Sequence, residues 1–220
     1  MKKRLIPLII LVMSILYIFV ILSEPFGVKI LFKLIPMWLI IYYAFLQTGL
    51  TTKNKKIIIA GLFFCMLGDG LLHWFIIGLS FFLIGHLIYI AGFLKDWRFS
   101  KLRFFSIIPI LAFDFIIGHT LITTLQQTGK DELMIPVMFY IAAISIMAWA
   151  AIMTGNKFAI CGSLLFMISD TVLSWNMFIA DVPYSHFIIM STYYTAQYCI
   201  ASSIGKSPST YSATAQIQAR

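Results

Sequence analysis

The stretch IIIAGLFFCMLGDGLLHWFIIGLSFFLIGHLIYIAGFL, residues 57–94, runs for 38 residues with Asp69 as its one formal charge. As a single helix it would extend about 57 Å, nearly twice the ~30 Å hydrocarbon core of a bilayer. It therefore folds back on itself. The segment FIIGLS (75–80), with Gly78, is the expected turn between two spans, 57–76 and 79–95.

Composition points the same way. Hydrophobic residues make up 61% of the 220 and charged ones 11%, against roughly 25% charged in soluble domains. A membrane barrel would show short alternating segments rather than long uncharged runs, so the reading is an all-α membrane protein. Eight transmembrane helices are expected, at 5–22, 30–50, 57–76, 79–95, 104–126, 133–154, 158–180 and 184–204, in one domain over residues 1–205. The polar segment KSPSTYSATAQIQAR (206–220) has no apolar period and reads as a flexible cytoplasmic tail. At the other end, MKKRLIPLIILVMSILYIFVIL imitates a secretory signal. Its apolar run of 18 residues and its lack of a small-x-small cleavage site make it a retained first helix.

The net charge of +8 would suggest nucleic acid in a soluble protein. Here the basic residues flank apolar spans and report topology instead. With the N-terminus inside, thirteen of the sixteen Lys and Arg fall on the cytoplasmic side, leaving Lys29, Lys33 and Lys130 outside. Both termini are thus expected in the cytoplasm and the protein in the cell membrane, with no nucleic-acid partner. Cys65, Cys161 and Cys199 all fall within apolar spans, lack CxxC spacing and read as packing residues.

An internal echo organises the chain further. GLFFCMLGDGLLHW (61–74) aligns without gaps to GSLLFMISDTVLSW (162–175), pairing Gly61 with Gly162, Met66 with Met167, Asp69 with Asp170, Leu72 with Leu173 and Trp74 with Trp175. The two segments lie on the third and seventh spans, which run in the same direction. That resembles two parallel four-helix repeats, and would set the aspartates at one depth, facing each other across a pseudo-twofold axis. Both sit 13 residues into helices that start inside, in the outer half of the bilayer.

Asp69 and Asp170 are the leading candidates for chemistry. Two carboxylates at one site push their proton affinities apart, giving a donor and an acceptor. The plainer alternative is a pair of structural acids, each protonated or bonded to a neighbouring helix. Lys33, in KLIPM, either snorkels to the outer interface or turns inward to a lipid phosphate or an aspartate. His86 and Tyr89 share a face of the fourth span, and Tyr193 and Gln197 share one of the eighth, with Tyr194 beside them. Buried Tyr and Gln also serve simply to bond helices together. His73 is expected near the outer surface. Asp114 and His119 lie roughly 140° apart around their helix, so they form no common face and read as a structural polar pair. HExxH, GxSxG, P-loop and GxGxxG patterns are absent from the sequence, and no convergent metal-ligand set is visible. No metal or cofactor is expected.

These residues sit in segments that look familiar. GLFFCMLGDGLL, FFLIGHLIYIAGF, IPVMFYIAAISIMAWAA, GSLLFMISDTVLSWNMF and STYYTAQYCIA resemble, in order, signature segments of the lysoplasmalogenase family, the YhhN-type membrane proteins. KLIP is similar to that family's Lys-x-x-Pro, and the resemblance covers roughly residues 30–204. It implies hydrolysis of the vinyl ether of lysoplasmalogen, a lysophospholipid, to a fatty aldehyde and a glycerophospho-ethanolamine or -choline. Asp69 and Asp170 would then be catalytic. Lys33, His86, Tyr89, Tyr140, Tyr193, Tyr194 and Gln197 would bind substrate. Enol ethers are cleaved by protonation on carbon, which needs a positioned acid, a carboxylate to stabilise the cation and direct water, and no metal. The competing classes are a proton-coupled lipid or small-molecule transporter or binding protein, and a structural membrane subunit. Transport predicts movement of an unchanged substrate; hydrolysis predicts free aldehyde.

Overall fold

The 57–94 stretch folds back earlier than its glycine pattern suggests. The computed structural model describes residues 2–21, 25–49 and 51–206. In it, α3 (Thr52–Leu71) ends at a tight turn through Leu72–Trp74, and α4 (Phe75–Lys95) begins at once. The Trp74 N–H closes the turn on the Leu71 carbonyl at 2.9 Å. The expected turn at 75–80 is therefore corrected: Gly78 lies inside α4. A Cβ there would stand 2.6 Å from Leu72 Cα, so Gly78 lets the first turn of α4 press on the backbone of the reversal.

The remaining elements are α1 (Lys2–Phe19), α2 (Phe26–Leu46), the single turn α5 (Lys101–Phe104), α6 (Ile107–Gln127), α7 (Met134–Thr154), α8 (Lys157–Phe178) and α9 (Ser185–Ser203). Among the described residues there is no strand, and eight helices are long. Five segments are long and apolar enough to cross a membrane: Phe26–Leu46, Phe75–Lys95, Lys101–Gln127, Asp131–Thr154 and Lys157–Phe178. The flexible tail expected at 206–220 falls, from residue 207 on, outside the described residues.

Local signals set several boundaries. The Thr51 side chain accepts from the Asn54 N–H to start α3, and Asn156 Oδ1 accepts from the Phe158 and Ala159 N–H groups to start α8. The α4–α6 connection is tied down where α7 ends. Arg98 N–H and Arg103 Nη1 both donate to the Met153 carbonyl, at 3.0 and 3.2 Å.

Packing repeats with the sequence echo. Exchanging α1–α4 with α6–α9 turns the α1–α2 contact into α6–α7, α2–α3 into α7–α8, α3–α4 into α8–α9, and α4–α7 into α9–α2, and all eight are present. The matched glycines do matching work. A Cβ on Gly61 would collide with the Tyr89 ring of α4, and one on Gly162 would stand 2.8 Å from the Ala196 carbonyl of α9. Small residues let these helix backbones approach.

The exchange fails for three contacts: α6–α8 and α3–α9 have no close counterpart in α1–α3 or α8–α4, and the third failure shapes the site. Helix α1 packs on α9, but its counterpart α6 packs on α7 and α8 and does not pack closely on α4. A cavity opens where that contact would be.

Candidate active site

Asp69 is buried near the end of α3, and α2 delivers Lys33 to it. Lys33 Nζ stands 3.1 Å from Asp69 Oδ1 and donates to the Asp69 carbonyl at 3.2 Å. Lys33 thus turns inward to an aspartate rather than snorkelling outward. Its backbone is held as well: the Tyr194 hydroxyl on α9 donates to the Lys33 carbonyl at 2.8 Å. That carbonyl adjoins the one that Pro36 deprives of its helical donor. Tyr193 donates to the Cys65 carbonyl, 3.4 Å away and one turn before Asp69. Asp69 Oδ2, fully enclosed, has no hydrogen-bond partner among the described residues.

Asp170 has a different partner. Tyr140 of α7 donates its hydroxyl to Asp170 Oδ2. Under the pseudo-twofold exchange α7 stands for α2 and α8 for α3, so the Tyr140–Asp170 hydrogen bond answers the Lys33–Asp69 ion pair. Both Tyr140 and Asp170 line a cavity, partly open to the surroundings, between α4, α6, α7 and α8. Its wall is mainly Leu, Ile, Phe and Met side chains, interrupted by Asp114, Tyr140, Asp170, Thr171 and Ser174.

Phe82 joins the two regions. It lines the cavity, and it packs over Gly68, the residue before Asp69, where a Cβ would come within 2.7 Å of its ring. It also meets Phe166 and Tyr193 edge-on, at 6.2 and 6.0 Å between centroids. Asp69 and Asp170 lie within electrostatic range of each other, yet Asp69 is not among the residues that line the cavity.

The other candidate residues sort by contact. His86 is fully buried, edge-on to Phe166 at 4.7 Å and to Tyr140 at 5.1 Å, and neither ring nitrogen has a hydrogen-bond partner among the described residues. Tyr89 donates to Gln197 Oε1 at 2.7 Å, both fully buried, in a bridge between α4 and α9. Three groups result: Lys33, Asp69, Tyr193 and Tyr194 form one, Tyr140, Asp170 and His86 a second, and Tyr89 with Gln197 a third. His86, Tyr193 and Gln197 do not line the cavity. His73 is exposed at the α3–α4 turn, against the Phe26 ring at 4.9 Å.

Asp114 is what sequence reasoning set aside. It faces the Asp170 cavity from α6, while His119 is exposed beside Phe115. The 140° between them separates a cavity residue from an outward one. Its signal was its residue type, since an acid within an apolar span is a functional candidate by default. Among the described residues no group of three or more His, Cys, Asp or Glu could hold a metal ion.

Comparison with known proteins fits this architecture. The chain is 31% identical over 199 residues to the bovine protein named lysoplasmalogenase TMEM86A, covering 81% of this chain and 79% of that one. It is 35% identical over 144 residues to human lysoplasmalogenase TMEM86B, covering 64% of this chain and 60% of that protein's length. Human lysoplasmalogenase TMEM86A is 30% identical over 210 residues, with 81% and 79% covered. No solved structure matches. The YhhN family model matches residues 28–204, from α2 to the end of α9, and takes in both aspartate pairs. With its apolar helices and these membrane-protein relatives, the chain is a multi-pass membrane protein of the YhhN family.

Proposed function

We propose that this protein hydrolyses the vinyl ether bond of a lysoplasmalogen-type lysophospholipid, as the names of its relatives suggest. The observation that carries the reading is the unlike partnering of two equivalent aspartates. A carboxylate beside an ammonium stays ionised, whereas one facing a phenol in an apolar cavity can hold a proton. Asp170 is then the acid and Asp69 the permanent anion.

The reaction follows from those states. Asp170 transfers its proton to the outer enol carbon, the C=C electron pair forms the new C–H bond, and the ether oxygen shares the resulting positive charge. Tyr140 stabilises the carboxylate left behind by donating to Oδ2, which leaves the other oxygen to carry the proton. The negative charge of Asp69 stabilises the oxocarbenium ion, and rotation of Phe82 would bring the two closer. Water adds to the cationic carbon and returns a proton to Asp170. The hemiacetal then collapses to aldehyde and glycerophospho-alcohol. His86 and the buried tyrosines shape the site, and no cofactor is needed.

All eight long helices span the bilayer in this reading, with both termini cytoplasmic and the site in the outer half. The decisive test is purified protein with lysoplasmalogen, followed by detection of free aldehyde. Stoichiometric aldehyde is expected. Lipid movement across a proteoliposome without aldehyde would replace hydrolysis by transport.

A further inference from the structure

We infer that Lys130 anchors the phosphate of the lipid that occupies the Asp170 cavity, an inference that rests on the lysophospholipid reading above. Lys130 follows α6 at the outer rim, and its backbone is fixed on both sides. Gly129 adopts φ 67°, its N–H donates to the Gln126 carbonyl at 3.2 Å, and the Lys130 N–H donates to the Leu125 carbonyl at 2.9 Å. Those two bonds form a Schellman motif. The Lys130 carbonyl then accepts from the Leu133 N–H at 3.0 Å.

The side chain is exposed, and it is directed. Its Nζ lies 5.4 Å from the centroid of the Phe178 ring, and Phe178 lines the cavity at the last residue of α8. Asp131 and Glu132 follow it, both exposed, and neither pairs with it; the ion pair found among the described residues joins Lys33 to Asp69. Of the other cations expected outside, Lys33 is thereby committed, and Lys29 lies on α2, which contributes nothing to the cavity wall.

Length supports the assignment. From Asp170 to Phe178 is eight residues of helix, a rise of about 12 Å. In a lysoplasmalogen seven bonds separate the enol carbon that takes the proton from phosphorus, about 8 Å at the ~1.2 Å per bond of an extended chain. A phosphate oxygen and a charge-assisted hydrogen bond add about 4 Å. A lipid with its phosphate on Lys130 therefore holds its enol carbon level with Asp170. The hydrocarbon chain continues into the apolar part of the cavity, past Phe82 and Phe113.

The test compares lysoplasmalogen with 1-alkenylglycerol, which has the same vinyl ether and no phosphate. Lys130→Gln should raise KM for lysoplasmalogen about tenfold or more, as expected for a lost charged hydrogen bond, with kcat within about twofold. It should leave 1-alkenylglycerol hydrolysis unchanged, and Lys130→Arg should retain most of the wild-type KM. An unchanged KM for lysoplasmalogen in Lys130→Gln, or an equal rise for both substrates, overturns the anchor. If wild-type protein releases aldehyde from neither lipid, the lysoplasmalogenase reading fails and binding decides the anchor. In that case 1-alkyl-lysophosphatidylethanolamine should bind more tightly than 1-alkylglycerol, and Lys130→Gln should abolish the difference. Equal binding of the two ethers by wild-type protein overturns it.

Discussion

Lys33 sits 3.1 Å from Asp69 with little exposure of either side chain, and a buried pair broken at one end costs about 3–5 kcal/mol. Asp69→Asn should therefore lower the unfolding temperature in detergent as well as turnover. Replacing both partners by apolar residues, Lys33→Met with Asp69→Leu, should restore the unfolding temperature without restoring activity. Asp170 behaves differently, because an Asn carbonyl can accept the Tyr140 hydroxyl as the carboxylate does. Asp170→Asn should cut aldehyde release by about 100-fold or more, with the unfolding temperature nearly unchanged. Tyr140→Phe should lower kcat by about tenfold and leave KM for lysoplasmalogen near its wild-type value, since it removes support for the spent carboxylate rather than a substrate contact. Normal turnover in Asp170→Asn would exclude it as the acid.

At the scale of helices, the glycines separate close approach from mere smallness. A Cβ on Gly162 would stand 2.8 Å from a carbonyl oxygen and 3.0 Å from a backbone nitrogen of α9, and neither can rotate away. Gly162→Ala should destabilise by roughly 1–3 kcal/mol. Gly70→Ala meets only the flexible end of Leu34, at 3.6 Å, and should leave the unfolding temperature within a degree or two. Gly78 shows why the fold was legible in outline and misread in detail. A 38-residue apolar run must turn, but the sequence does not say whether its glycine makes the turn or receives it; here Gly78 packs against Leu72. The aspartates were legible because a charge in an apolar run stands out. Lys33 was legible as a candidate but not as the partner of Asp69, since they lie 36 positions apart on different helices. Asp114 joins the cavity because α6 packs on α7 and α8 and away from α4, a displacement that no residue pattern in α6 encodes.

For the whole molecule, orientation carries the largest functional consequence. Single cysteines replacing Lys53 and Lys101 should be labelled only from the cytoplasmic side, and one replacing Glu132 only from outside, by membrane-impermeant maleimide on intact cells. External labelling at position 53 would invert the proposed orientation and move the Asp170 cavity to the inner leaflet. The repeated packing also makes the molecule an assembly of two units held by α4 against α7 and α2 against α9. The chain joins them only through residues 96–106, where Phe99 is exposed and Arg98 and Arg103 grip the end of α7 from either side of Ser100. The link should therefore be covalently dispensable. Residues 1–99 and 100–220, synthesised as separate polypeptides in one cell, should find each other in the bilayer as a heterodimer and reconstitute the cavity. Each fragment alone would hold one of the two site aspartates, Asp69 or Asp170, and neither would have the other half to complete its walls.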